Sequence, residues 1–127
     1  MLTGLLTVHL PESFADQVID WNTFSGSSGT DSGEAIAVDG SGNVYVAGYS
    51  NATWGSPVNS YTGDYDAFVA KFNSSGALQW NTFLGSSSPD YCNTIAVDAS
   101  GNVYVGGYSN ATWGSPVNPF AVGGGCS

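Results

Sequence analysis

The chain has almost no positive charge: Lys71 is its single cation against ten carboxylates, for a formal net charge of −9 over 127 residues. A surface of that sign repels phosphate backbones and anionic headgroups, so nucleic acid and acidic membranes are excluded as expected partners. Histidine is as scarce. His9 is alone, with two cysteines, so no Ser-His-Asp, Cys-His or Cys-x-x-Cys constellation forms, and neither nucleophilic catalysis nor zinc is expected. Long apolar runs are missing too. The opening MLTGLLTVHL has no basic flank and is shorter than the roughly 20 residues a membrane-spanning helix needs. Residues 1–20 thus form an apolar segment that reads as a β-strand, or as a start placed inside a longer gene, rather than as a signal peptide. Pro11 stops the run, a short helical turn is expected at 12–17, and membrane insertion is not expected.

Apolar and aromatic residues are plentiful, at 42% and 13%, enough to build a core and to exclude a disordered tail. Only 9% of residues are charged, so Gly, Ser, Asn and Thr carry much of the solubility. Acidic, lysine-poor chains of this kind are associated with extracellular and cell-surface proteins, which is the expected location.

The chain also repeats itself. Residues 21–59 align without a gap on residues 80–118, a period of 59 with 30 of 39 positions identical. A fixed period is the signature of a stacked or circular array. The units are repeat 1 at 21–79 and a truncated repeat 2 at 80–127.

Inside the unit the apolar pattern has period two. Ala35 to Asp39 forms a strand with Ile36 and Val38 on one face; Gly40 to Asn43 turns the chain; Val44 to Tyr49 returns as a hairpin. A long loop leads to strands at 67–72 and 77–84, joined by a turn at 73–76. Four antiparallel strands per unit, with apolar or small residues on both faces of the inner ones, is the pattern of a propeller blade. The fold class is therefore all-β: one outer strand at 19–25, one whole blade at about 34–85, and two strands of another at 94–109. Propellers close with about four to eight blades, so this is an incomplete ring. The divergent tail PFAVGGGCS favours a slice of a larger propeller over a self-sufficient subunit.

The upstream WNTF-x-GSS, the run D-x-SGN-VYV-x-GYS and the stretch DAFVAKFNSSGALQW together resemble the bacterial seven-bladed β-propeller repeat family, often called SBBP repeats. The resemblance covers residues 21–127. It implies four-stranded blades, a secreted or surface setting, a scaffolding or binding role, and no catalytic residues. The second copy departs from it by lacking DAFVAK.

Candidate sites compete with structural roles. Asp39 with Asn43, and Asp98 with Asn102, carry oxygen ligands at spacings resembling the first half of a calcium loop, but no distal glutamate follows and hairpin-turn chemistry is favoured. No cofactor is expected, calcium being the one considered. Trp54 and Trp113, beside Tyr49 and Tyr108, could form stacking platforms for sugars; sealing the gap between blades is favoured. Packing is also expected of Trp21 and Trp80. Asp31, Asp64, Asp66 and Asp90 read as turn or strand-start caps, one of them a possible partner of Lys71. Enzyme activity from the Asp64 and Asp66 carboxylates is not expected. Asn51, Asn73 and Asn110 begin sequons of the kind chance produces in such a composition.

Cys92 and Cys126 align with Gly33 and Ala67 of the first copy. One strand would separate them, putting their Cα atoms about 9 to 10 Å apart, beyond the roughly 7 Å limit of a disulfide. The leading functional expectation is a noncatalytic scaffold or interaction platform binding protein or glycan at the cell surface. Two alternatives are a carbohydrate-binding module and a structural subunit that self-associates through open strand edges.

Overall fold

The computed structural model describes residues 4–10 and 19–118. The helical turn expected at 12–17, the C-terminal tail and Cys126 lie outside these residues. Three hairpin turns share one design. Asp39 Oδ1 accepts from the N–H groups of Ser41 and Asn43 at 2.9 and 3.0 Å; Asp98 does so from Ser100 and Asn102 at 2.9 and 2.8 Å. Asn73 Oδ1 does the same with Ser75 and Ala77, at 2.9 and 3.0 Å. The fourth turn residue is Gly42, Gly76 or Gly101, at φ of 81°, 84° and 82°, where a Cβ would be strained.

Between these turns and the loops run eight strands, with no helix among the described residues: β1 Leu5–His9, β2 Trp21–Ser25, β3 Asp31–Val38, β4 Val44–Ser50, β5 Asp66–Phe72, β6 Leu78–Leu84, β7 Asp90–Val97 and β8 Val103–Ser109. They form three antiparallel sheets, β1-β2, β3-β4-β5-β6 and β7-β8. The middle sheet is a complete four-stranded blade. β3 and β7 begin earlier than the alternation suggests, at Asp31 and Asp90, because a bulge skips Glu34 and Asn93 and resets the parity of the strand.

β1 gives the N-terminal segment a place in the repeat. Leu5, Leu6, Thr7, Val8 and His9 pair with Ser25, Phe24, Thr23, Asn22 and Trp21. One period on, Ala67, Phe68, Val69, Ala70 and Lys71 pair with Leu84, Phe83, Thr82, Asn81 and Trp80. β1 and β2 are therefore the third and fourth strands of a preceding blade. The likeness escapes alignment because nine positions separate Lys71 from Trp80 and twelve separate His9 from Trp21.

The blade buries both faces. On one, Val44, Val46, Trp54, Phe68, Ala70, Phe72 and Phe83 pack with Leu5 and Trp21 of the first sheet. On the other, Ala47, Ala67 and Val69 meet Cys92, Ile95 and Val103 of the third. The broken alternation at WNTF is explained here: Phe83 serves the first face and Trp80 the second. The face of β3 bearing Ile36 and Val38 is exposed among the described residues, where the first sheet contributes only β1 and β2.

Candidate binding site

At the end of the blade away from the turns, three aspartates open strands. Asp31 Oδ2 accepts from the N–H and hydroxyl of Ser27 at 2.8 and 2.9 Å, while its Oδ1 accepts from the Ser50 hydroxyl at 2.5 Å. Asp90 repeats this with Ser86 and Ser109. Asp66 accepts from the Thr62 N–H at 2.7 Å and lies against the Thr62 hydroxyl. All three carboxylates are buried. Burial pushes the Asp66 carboxyl above its usual range, and the nearby Asp90 charge adds to the rise.

Around these acids four tyrosines bridge the seam between the second and third sheets. Tyr65 stacks on Tyr91 at 5.8 Å between ring centres, and Tyr91 on Tyr108 at 4.8 Å. Tyr49 meets Tyr65 and Tyr91 edge-on at 5.6 and 4.7 Å. All four lie within a residue of a strand end, where the loops at 51–65 and 85–89 emerge. Desolvation, followed by its tyrosine and aspartate neighbours, pushes the Tyr91 hydroxyl up. Such a patch offers flat apolar faces with hydroxyl tips, which suits sugar rings or peptide side chains.

The structure brings Tyr49 and Tyr108 together and separates the two tryptophans. Trp54 is buried, its ring edge-on to Phe68 and Phe83 at 5.2 and 6.2 Å, so it packs the interior of its blade. Trp113 is exposed beside a cavity of about 170 Å³ lined also by Leu84, Asp90, Tyr91 and Tyr108. Tyr65 and Tyr91 were not singled out by sequence: Tyr65 sits in the part of the unit that appears once, and Tyr91 replaces Ser32. The signal available was that replacement, a small residue exchanged for a large aromatic one in a strand pair whose remaining copies are otherwise conserved at both ends, Asp31 to Asp90 and Tyr49-Ser50 to Tyr108-Ser109.

The Asp39 and Asp98 carboxylates are occupied as turn clamps. Besides the backbone donors, each receives the side-chain amide of Asn43 or Asn102, at 2.9 and 2.8 Å, and the hydroxyl of Tyr45 or Tyr104, at 3.0 and 3.3 Å. Neutral Asn73 makes the same backbone clamp, so the turn requires an acceptor oxygen and not a charge. No group of three or more acidic, cysteine or histidine side chains suited to a metal occurs among the described residues. The Asn43 side chain, ahead of the backbone and tyrosine donors, lowers the Asp39 carboxyl from 3.8 to about 2. A folded value below the unfolded one means that this stabilisation is present above pH 3.8 and is lost as pH falls through about 2. A carboxyl-carbon NMR titration is expected to show Asp39 with its midpoint near 2, and a midpoint near 3.8 would refute the clamp.

Lys71 stands 5.4 Å above the Tyr45 ring; among the described residues it is His9 Nδ1 that lies within hydrogen-bond distance of a carboxylate, Asp20 Oδ2, at 2.9 Å. Asp64 is held at φ 57°, with its carbonyl accepting from the Tyr61 hydroxyl at 2.6 Å. Asn51 accepts from the Thr30 N–H at 2.8 Å, an interstrand tie. Cys92 is buried, which pushes its thiol up to about 11 and makes it a packing residue with little nucleophilicity.

The family model for the β-propeller repeat, SBBP, matches residues 24–53 and 79–112, together about half of the chain. The chain belongs to the β-propeller repeat family. The two matched segments start in β2 and β6 and run through the next blade's inner hairpin, so each matched unit spans two neighbouring sheets. Propeller repeats built this way interlock adjacent blades through the covalent chain, and the seam holding the four tyrosines is one such junction. A search of curated proteins returned no match.

Proposed function

We propose that this propeller segment is a noncatalytic interaction scaffold of a secreted or cell-surface protein, holding a protein or glycan on the loop end of its blades. The observation that carries this reading is the cluster of Tyr49, Tyr65, Tyr91 and Tyr108 at the seam. Its rings are partly accessible and are set on the ends of rigid strands, and hydroxyl-bearing aromatics with few rotatable bonds give contact area at low entropic cost. The charge of −9 supports neutral or cationic ligands over nucleic acid. No helix of the described residues is long and apolar enough to cross a membrane.

A glycan is the more specific form of the ligand, because tyrosine faces stack on the apolar faces of sugars while the tips hydrogen-bond to hydroxyls. The expected platform is this tyrosine cluster, with Trp113 at its margin. A glycan array and a panel of extracellular proteins, both probed with the 127-residue chain, test the reading. Binding that falls at least about 5-fold in Tyr91→Ala is the expected result, since truncating an anchor residue costs more than about 1 kcal/mol. Blank panels, or binding indifferent to Tyr91→Ala, overturn it.

A further inference from the structure

We infer that Asp66 is a proton-operated latch: with a proton on it, the Thr62 hydroxyl ties the loop before β5 to the link between blades at Ser86, and without the proton that tie is lost. The Thr62 hydroxyl has one hydrogen to give and three acceptors around it: the Ser86 carbonyl at 2.5 Å, and Asp66 Oδ2 and Oδ1 at 2.8 and 2.9 Å. A carbonyl donates nothing, so the shortest of these contacts takes the Thr62 hydrogen. The Thr62 oxygen then meets Asp66 with lone pairs, and only a protonated carboxyl makes that contact attractive. Oδ2 already accepts from the Thr62 N–H at 2.7 Å, which leaves the proton to Oδ1. The donors run from Asp66 Oδ1 to Thr62 Oγ1, and from Thr62 Oγ1 to the Ser86 carbonyl.

The other two strand-start acids show the opposite order. Ser50 Oγ stands 2.5 Å from Asp31 Oδ1 and 2.8 Å from the Ala52 carbonyl, and Ser109 Oγ lies nearer Asp90 Oδ1 than the Ala111 carbonyl. Those hydroxyls give their hydrogens to the carboxylates. Of the three acids, Asp66 alone has a hydroxyl neighbour whose nearest acceptor is a carbonyl. Its surroundings favour the proton. Asp66 is fully buried. Asp90 faces it from β7, Asp31 stands beyond Ser50, the β4 residue opposite Asp66, and Tyr61, Asp64 and Tyr65 lie in its own loop. None of these is a cation, and Lys71 lies toward the far end of β5. Desolvation, with the Asp90 charge adding to it, outweighs the Thr62 bonds and raises the carboxyl above 3.8.

Ionisation reverses the order of donors. A carboxylate draws the Thr62 hydrogen to itself, because a charged acceptor outcompetes a neutral carbonyl. Thr62 Oγ1 and the Ser86 carbonyl, 2.5 Å apart, are then two acceptors with no hydrogen between them, and they separate. The loop at 51–65 and the link at 85–89 keep, among the described residues, the bond from the Asp90 N–H to the Tyr65 carbonyl at 2.7 Å. The rings of Tyr65 and Tyr91 stack across the same seam, so the latch sets how firmly the loop of one blade holds the start of the next. Acid closes it and rising pH opens it, the proton being exchanged with solvent. The latch is independent of the ligand proposed above.

Carbon NMR of the 127-residue chain, titrated from acid to neutral pH, is the test. Asp66 Cγ is expected to titrate above 3.8, and the Ser86 carbonyl carbon to shift with the same midpoint, because that carbonyl gains or loses its hydrogen bond. In Asp66→Asn the amide nitrogen stands in for the protonated oxygen, so the Ser86 signal should hold its acid position throughout. Thr62→Val should abolish the Ser86 shift while Asp66 still titrates, and Thr62→Ser, which restores a hydroxyl, should bring it back. Hydrogen-exchange protection at the Asp90 N–H should fall at least about 5-fold on the alkaline side of the midpoint in the unsubstituted chain, as loss of a neighbouring hydrogen bond implies, and should not fall in Asp66→Asn. A Ser86 signal that ignores the Asp66 midpoint overturns the latch. So does one that moves as far in Asp66→Asn, the result if Asp90 drove it through the Ser86 N–H.

Discussion

Trp54→Ala is expected to lower the stability of the folded chain by about 3–5 kcal/mol, the cost of removing a large buried aromatic ring. Trp113→Ala, at the same place in an identical ten-residue stretch, should change it by less than about 0.5 kcal/mol, as exposed substitutions do. The difference comes from what lies across the ring: Phe68 and Phe83 on Trp54, and solvent beside Trp113. Trp54 also carries the β4–β5 loop, since its carbonyl accepts from the Asn81 side-chain amide at 2.9 Å. Urea unfolding followed by far-UV circular dichroism at low micromolar protein would read both values. Equal losses for the two variants at low concentration would contradict the packing described.

Asp66→Ala is expected to destabilise by about 1–3 kcal/mol, because it leaves the part-buried Thr62 N–H without its acceptor, while the Thr62 hydroxyl keeps the Ser86 carbonyl. Asp66→Asn should cost less, since an amide oxygen can still accept from the Thr62 N–H. The two variants should also differ in acid. The folded Asp66 value lies above the ordinary 3.8, so the native state binds this proton more tightly than the unfolded chain does. Its contribution is therefore most favourable below 3.8 and declines as pH rises through the raised value. Asp39 behaves in the opposite sense. Removing Asp66 as Asn should accordingly leave a stability profile that rises more steeply as pH increases above 3.8. Urea midpoints taken at several pH values would show it; an unchanged slope would mean that Asp66 is not desolvated.

The hairpins, the turns and the four-strand unit were legible because each depends on neighbours along the chain. Period-two alternation marks β4 and β5 directly, and Asp-x-Ser-Gly-Asn states its own hydrogen bonds. The bulges at Glu34 and Asn93 were not legible, because skipping one residue hides the true start of β3 and β7 behind a change of parity. β1 was seen as a strand but not as a repeat element, since its residues share almost nothing with DAFVAK except the register that pairs them with WNTF.

The candidate site divided in the same way. Asp31, Asp66 and Asp90 could be read as strand-start caps because their donors lie four residues upstream. Tyr49, Tyr65, Tyr91 and Tyr108 come from four different elements and meet only when one sheet packs on the next. For Trp54 and Trp113 no local reading could separate buried from exposed, because the sequence around them is the same.

By itself, then, the sequence determined the blade: period, strand count, turn chemistry and family all follow from local pattern and near-identity between copies. Tertiary structure alone decided which copy of each repeated residue is core and which is surface. Identical segments have identical propensities, but burial depends on the sheet that lies opposite, and the three sheets of this chain do not have the same neighbours.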